Sequence, residues 1–335
     1  MAKGISNKVV VITGASSGIG YGTALKCASA GAALVLTARR SDALEEVSRE
    51  CAEKGAEVLV VAGDVADLHH VEEVGRKAIE EFGRIDVWVN NAGVAAFGRL
   101  EEVPYRDYRR VIETNLFGYI HGARVAIPAF REQGQGILIN VSSVVGHIGA
   151  PFASAYSISK WGVEGLTESL RMELQDAPEI KICSVLPPST DTPFFSHAAN
   201  FSGQAIKPLD PVHSTDLIVE AIVDLMKNPK REVLPGSAAK QLNFLRSFAP
   251  SLAERLFGPM AEHRHFQDRP ALDTHGNVHE PIDSRVSVDD GWLESSATYT
   301  NPGYSRERSA FIGAALLGLG ISLATITSIR NHQSA

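Results

Sequence analysis

Cysteine is scarce in this chain: Cys27, Cys51 and Cys183 stand far apart among 335 residues. An odd, dispersed set provides neither a disulfide framework nor the paired spacing of a zinc site, and it suits a reducing compartment. Positive charge is also in deficit. With 32 Lys and Arg against 39 Asp and Glu, the formal charge is -7 and the pI is near 5.9. No basic stripe is present to neutralise phosphates, which argues against a nucleic-acid partner. A long apolar run near the start is missing as well. Val9 to Ile12 is too brief for a signal-peptide core and leads straight into a glycine-rich turn, so it reads as a first strand.

What is present is a core of domain size, with 44% hydrophobic and 21% charged residues. Val-, Ile- and Leu-rich runs alternate with helical stretches, the pattern of a parallel sheet covered on both faces. Strands are expected at Val9–Thr13, Ala33–Thr37, Glu57–Ala62, Val87–Asn90, Gly136–Val141, Lys181–Leu186 and Glu232–Leu234, with six helical segments between them. Asp42 is placed to cap a helix starting at Ala43, and Ser154 one running to about Gln175. Right-handed crossovers then give a doubly wound, seven-stranded Rossmann-type α/β sheet whose ligand crevice lies at the carboxyl ends of the strands.

Residues 1–260 read as the dinucleotide-binding oxidoreductase domain. Residues 261–308 read as a polar linker or irregular cover, since proline recurs there and periodicity fades. His263, His265, His275 and His279 fall in this stretch; without Cys partners or an i, i+4 pair on a helix they read as solvated loop histidines, and no metal is expected. Leu242, Leu245, Phe248, Leu252, Leu256 and Phe257 form a stripe read as core-facing. Within 309–330, Ala310–Ile329 holds twenty residues without a formal charge, about 30 Å as a helix and enough to cross a hydrocarbon core. That run predicts membrane association by a C-terminal helix with the catalytic domain in the cytoplasm; the alternative is a packed helix on a soluble cytoplasmic protein.

The chemistry sits at the strand ends. Val9–Thr13 leads into Gly14, Ala15, Ser16, Ser17, Gly18, Ile19 and Gly20, a turn that lets backbone N–H groups approach a pyrophosphate at a helix N-terminus. Where an NAD site would place an acid after the second strand, this chain has Arg39 and Arg40. Two guanidinium groups suit a 2′-phosphate, so NADP(H) is favoured over NAD(H). Tyr156 and Lys160 share a helix face, and a nearby ammonium lowers a phenol's pKa toward the range of a general acid or base. Ser142 and Ser143 follow the fifth strand, where one hydroxyl can meet a substrate oxygen whose charge changes.

Taken in order, Thr13 to Gly20, Asp64, Asn90-Asn91-Ala92-Gly93, Asn115, Ser143, and Tyr156 with Lys160 resemble the short-chain dehydrogenase/reductase family across residues 6–235. The resemblance implies a catalytic tetrad: Asn115 holding a relay water, Ser143 orienting the substrate oxygen, Tyr156 as acid/base and Lys160 binding ribose. It selects Ser143 because the family's serine stands thirteen residues before the tyrosine. It also implies Asp64 and Val65 beside the adenine, Asn91, Ala92 and Gly93 along the middle of the cofactor, Pro187 and Thr192 near the nicotinamide, and pairing of subunits into a homo-oligomer. Pro188 replaces the family's usual glycine. Aromatic residues in Phe194 to Pro208 point to an apolar carbonyl or alcohol as the small-molecule substrate. The competing reading is a non-catalytic NADP(H)-binding sensor or scaffold; retention of all four tetrad groups favours the enzyme.

Overall fold

Strand β1 (Val9–Thr13) is buried at every position, as a strand covered on both faces must be. The computed structural model describes residues 4–236, 249–284 and 286–294. From β1 the chain alternates through α1 (Gly18–Ser29), β2 (Ala33–Thr37), α2 (Ser41–Glu53), β3 (Val58–Val60), α3 (Leu68–Phe82) and β4 (Val87–Asn90). After a short β5 (Ala96–Phe97), α4 (Tyr105–Ile112) passes through a π-turn at Glu113–Phe117 into α5 (Gly118–Gln133). Then come β6 (Gly136–Val141), α6 (Ser154–Glu173), β7 (Ile180–Val185), α7 (Phe194–His197), β8 (Ala199–Asn200), β9 (Gln204–Ile206), α8 (Thr215–Lys227) and β10 (Glu232–Val233). Helix α9 (Pro250–Arg264) and β11 (Phe266–Pro270) follow.

The main sheet has seven parallel strands in the order β10-β7-β6-β4-β1-β2-β3. Strand order reverses between β1 and β4, which opens a crevice at their carboxyl ends. One core layer joins β1 and β2 to α1, α2 and α8 through Ile12, Leu36, Leu44 and Ile222; the opposite layer joins α3, α5 and α6 through Val74, Trp88, Phe130 and Leu170. All seven expected strands form, four with the expected bounds and three with edges shifted by one or two residues. Both cap assignments move instead. Ser41 already opens α2, with Asp42 in the first turn accepting from the Arg40 guanidinium, and Ser154 is the first residue of α6 after Ala153.

The polar stretch after residue 260 packs on the preceding fold through several of its residues. His265 and Phe266 are buried, β11 pairs antiparallel with β9, and Asn200 and Thr274 exchange two backbone hydrogen bonds of 2.9 Å. One compact unit extends to Trp292. His265 is therefore not a solvated loop histidine; its Nδ1 meets the Lys207 carbonyl at 3.1 Å, and burial pushes its pKa down to about 4. The run 310–329 and most of the stripe at 242–257 lie outside the described residues. Among the described residues, no helix is long and apolar enough to cross a membrane.

Candidate active site

The glycine-rich turn is shaped by steric necessity. Gly14 has φ +65° and Gly18 φ +56°. A Cβ on Gly20 would stand 2.2 Å from the Gly14 carbonyl oxygen, and one on Gly14 would stand 2.7 Å from the Ala92 Cα. Asn91 ties this turn to β4: its Nδ2 donates to the carbonyls of Thr13 at 2.9 Å and Gly14 at 3.2 Å. Thr13 Oγ1 in turn accepts from the backbone N–H of Asn91 and Ala92. Ser17 precedes α1 in extended conformation with its hydroxyl unused as a cap, beside Ser16; Ile19 packs onto the core below. Thr192 lies directly over Gly18. A narrow, glycine-floored cradle thus faces the first turn of α1, as a pyrophosphate requires.

At the end of β2 both arginines are engaged. Arg39 donates to the carbonyls of Asn277, Val278 and His279, and Arg40 to those of Ile282 and Ser284 as well as to Asp42. Asp64 is ion-paired to Arg110 and accepts from the Ala66 N–H, while Val65 is buried against Gly118. Gly93 faces the Asn115 side chain at ordinary contact distance.

The four expected catalytic residues converge across β4, the π-turn, the end of β6, and α6. Asn115 sits in the π-turn, a bulge type often found at functional positions. Its amide is fully committed: Oδ1 accepts from Val94 N–H, while Nδ2 donates to the Val94 carbonyl and Ser159 Oγ. Ser143 precedes the single turn Val144–Gly146; its Oγ donates to the Pro187 carbonyl and accepts from the Val145 N–H, both at 3.4 Å. Ser142 leans toward the Lys160 carbonyl at 3.5 Å, and of the two serines only Ser143 acts on the Tyr156 phenol, whose pKa it lowers. Lys160 is 3% exposed; its Nζ donates to Tyr119 Oη at 3.0 Å and the Val141 carbonyl at 2.8 Å and lies 5.7 Å from the Tyr156 ring centre.

The electrostatics differ from the expected ammonium-driven activation of the phenol. Burial raises the Tyr156 hydroxyl to about 12, opposed by its Ser143 hydrogen bond, and burial brings Lys160 down to about 7 against the pull of Glu164. Taking charge out of water disfavours both ionised forms. Two contributors escaped the sequence reading. Tyr119 stands four residues past Asn115, a spacing that could have flagged it, and the segment 277–292 gave no periodic signal because it engages the site through backbone carbonyls.

Comparison with known proteins decides the family. The short chain dehydrogenase model matches residues 8–201, more than half the chain. The chain belongs to the short-chain dehydrogenase/reductase family. This short-chain dehydrogenase/reductase is 34% identical over 309 residues to an uncharacterised oxidoreductase, YxnA, of Bacillus subtilis, covering 89% of this chain and 85% of the relative. Among solved structures, an alcohol dehydrogenase from Thermococcus sibiricus complexed with 5-hydroxy-NADP aligns with TM-score 0.60 and 33% identity over 68% of this chain and 96% of the other. A family member from Burkholderia phymatum in complex with NAD aligns with TM-score 0.68 and 26% identity, over 81% of this chain and 100% of the other. The protein is accordingly an oxidoreductase on a parallel seven-stranded sheet with flanking helices.

Proposed function

We propose that this protein interconverts an apolar carbonyl compound and its alcohol with NADP(H), using Tyr156 as the proton donor and acceptor. The observation that carries the reading is Tyr156 on α6 with Lys160 Nζ 5.7 Å from its ring centre and Ser143 following β6, at the sheet end where the glycine turn lies. The cofactor, when bound, supplies or accepts the hydride. Tyr156 delivers a proton to the developing alkoxide oxygen during reduction, a role that a neutral phenol fills at physiological pH. Ser143 holds that oxygen by hydrogen bond, and Asn115 acts by fixing the π-turn against Val94 and α6. Arg39 and Arg40 are both candidates for a 2′-phosphate, each now donating to backbone carbonyls and Arg40 to Asp42 as well. The complexes of solved relatives with 5-hydroxy-NADP and with NAD are compatible with a dinucleotide here, and the arginines favour the phosphorylated form.

An apolar substrate is supported by what stands beside the phenol. Phe194 lies 5.2 Å from Tyr156 between ring centres, Phe195 stacks edge-on at 5.3 Å from Phe194, and Phe97 continues the wall. The test follows NADPH absorbance with a panel of aldehydes, ketones, steroids and fatty-acyl carbonyls, wild type beside Tyr156→Phe. Loss of turnover by about 10²–10⁴ in the variant is expected, and unchanged turnover would remove Tyr156 from the chemistry. In the same assay Arg40→Ala should raise the KM for NADPH relative to that for NADH.

A further inference from the structure

The donors that the coenzyme reading assigns to phosphate are already in use. Along residues 277–292, a strap of backbone lies over the carboxyl ends of β1 and β2. Its carbonyls at Asn277, Val278 and His279 accept from Arg39, and those at Ile282 and Ser284 accept from Arg40. Ser287 O accepts from the Gly18 N–H at 3.0 Å, on the first turn of α1. The strap is seated as well as bonded. Val278 is wholly buried, Val286 and Val288 pack on the sheet's core layer, and Asp191 Oδ1 accepts from the N–H groups of Asp290 and Trp292 at 3.1 and 2.9 Å. His275 and His279, at its leading end, close on the buried Asp107 at 2.7 and 3.3 Å.

A row of carbonyl oxygens directed at two guanidinium groups and a helix N-terminus presents partial negative charge where a dinucleotide presents full negative charge. We infer that the strap is an intramolecular competitor for the coenzyme site, an inference that rests on the coenzyme reading above. Exchange of neutral carbonyls for a 2′-phosphate replaces ordinary hydrogen bonds with charge-assisted ones, roughly twice as strong, which helps offset the cost of displacing the strap. That cost falls on any dinucleotide that displaces the strap, so loosening the strap should tighten binding of both coenzymes.

The test uses full-length protein with Val286→Ser/Val288→Ser, which weakens the seat without touching the arginines, the glycine turn or the tetrad, and separately Asp191→Ala, which removes the acceptor for Asp290 and Trp292. Dissociation constants for NADPH and NADH are measured by calorimetry without substrate. Hydrogen exchange across 277–292 is followed with and without NADPH. In both variants the NADPH and NADH constants should tighten together by about tenfold, the scale of one or two neutral hydrogen bonds. In the wild type NADPH should speed exchange of the strap amides. Constants that do not tighten, or strap amides that become better protected on binding, would show a clamp that closes over the coenzyme and would overturn the competitor. Binding of neither coenzyme by wild type or variants would remove the coenzyme reading itself, a separate result from unchanged constants.

Discussion

At the level of single residues, the phenol and the ammonium are both driven toward their neutral forms by burial, to about 12 for Tyr156 and about 7 for Lys160. The hydrogen bond from Ser143 is what holds the phenol's rise in check. Alcohol oxidation needs phenolate as the base, so its rate climbs as pH rises toward the Tyr156 pKa. Removing the hydroxyl in Ser143→Ala should move the midpoint of that rise to higher pH by about one unit, the worth of a hydrogen bond of about 1.4 kcal/mol. Profiles of log kcat/KM against pH, in the oxidative direction, check this. A fall in rate with no displacement of the midpoint would mean that Ser143 only orients substrate.

At the level of elements, the steric demands of the β1–α1 turn separate functional from structural glycine. Gly20→Ala drives a Cβ to 2.2 Å from the Gly14 carbonyl, so the turn must open; coenzyme affinity should fall more than tenfold and stability by about 2 kcal/mol. Gly55→Ala is the matched control: its φ of +88° makes alanine strained, yet nothing stands within 4 Å. It should lose about 1 kcal/mol in urea titration and leave coenzyme affinity alone. Equal loss of affinity in both would show that the turn matters only for stability. The same elements show what a sequence discloses. The central strands of the main sheet were legible because a strand buried on both faces is an unbroken apolar run, as in Gly136–Val141. Gly14, Ser143, Tyr156 and Lys160 were legible because each falls at the carboxyl end of such a run or on one face of α6. The two-residue β5 and β8 carry too little pattern to be seen. Residues 277–292 gave only a polar stretch, open to reading as a linker or an irregular cover, because their partners, Arg39 and Arg40, bind main-chain oxygens that any residue provides, and because Asp107, 168 residues away from His275, gives no local sign of its contact.

At the level of the whole molecule, Lys160 makes global stability depend on pH. The ammonium is buried in the centre of the fold, with Tyr119 Oη and the Val141 carbonyl as its acceptors and no carboxylate bonded to it among the described residues. Its folded pKa of about 7 lies below the ordinary 10.5, a difference equivalent to about 5 kcal/mol as an upper bound. Below about pH 7 the lysine is charged in both states and the full cost of burying that charge is felt. Between about 7 and 10.5 the unfolded chain binds a proton that the folded protein does not, so stability rises with pH; above that window the lysine is neutral in both states and the cost is gone. Lys160→Met removes the titration while keeping an unbranched side chain in place. Urea midpoints taken without coenzyme from pH 6.5 to 9.5 should therefore favour the methionine variant most at the acid end, with the wild type gaining on it steadily as pH increases. A gap between the two proteins that stays constant across this range would mean that Lys160 remains fully charged in the fold, and the burial that also holds Tyr156 neutral would have to be weaker than the geometry indicates.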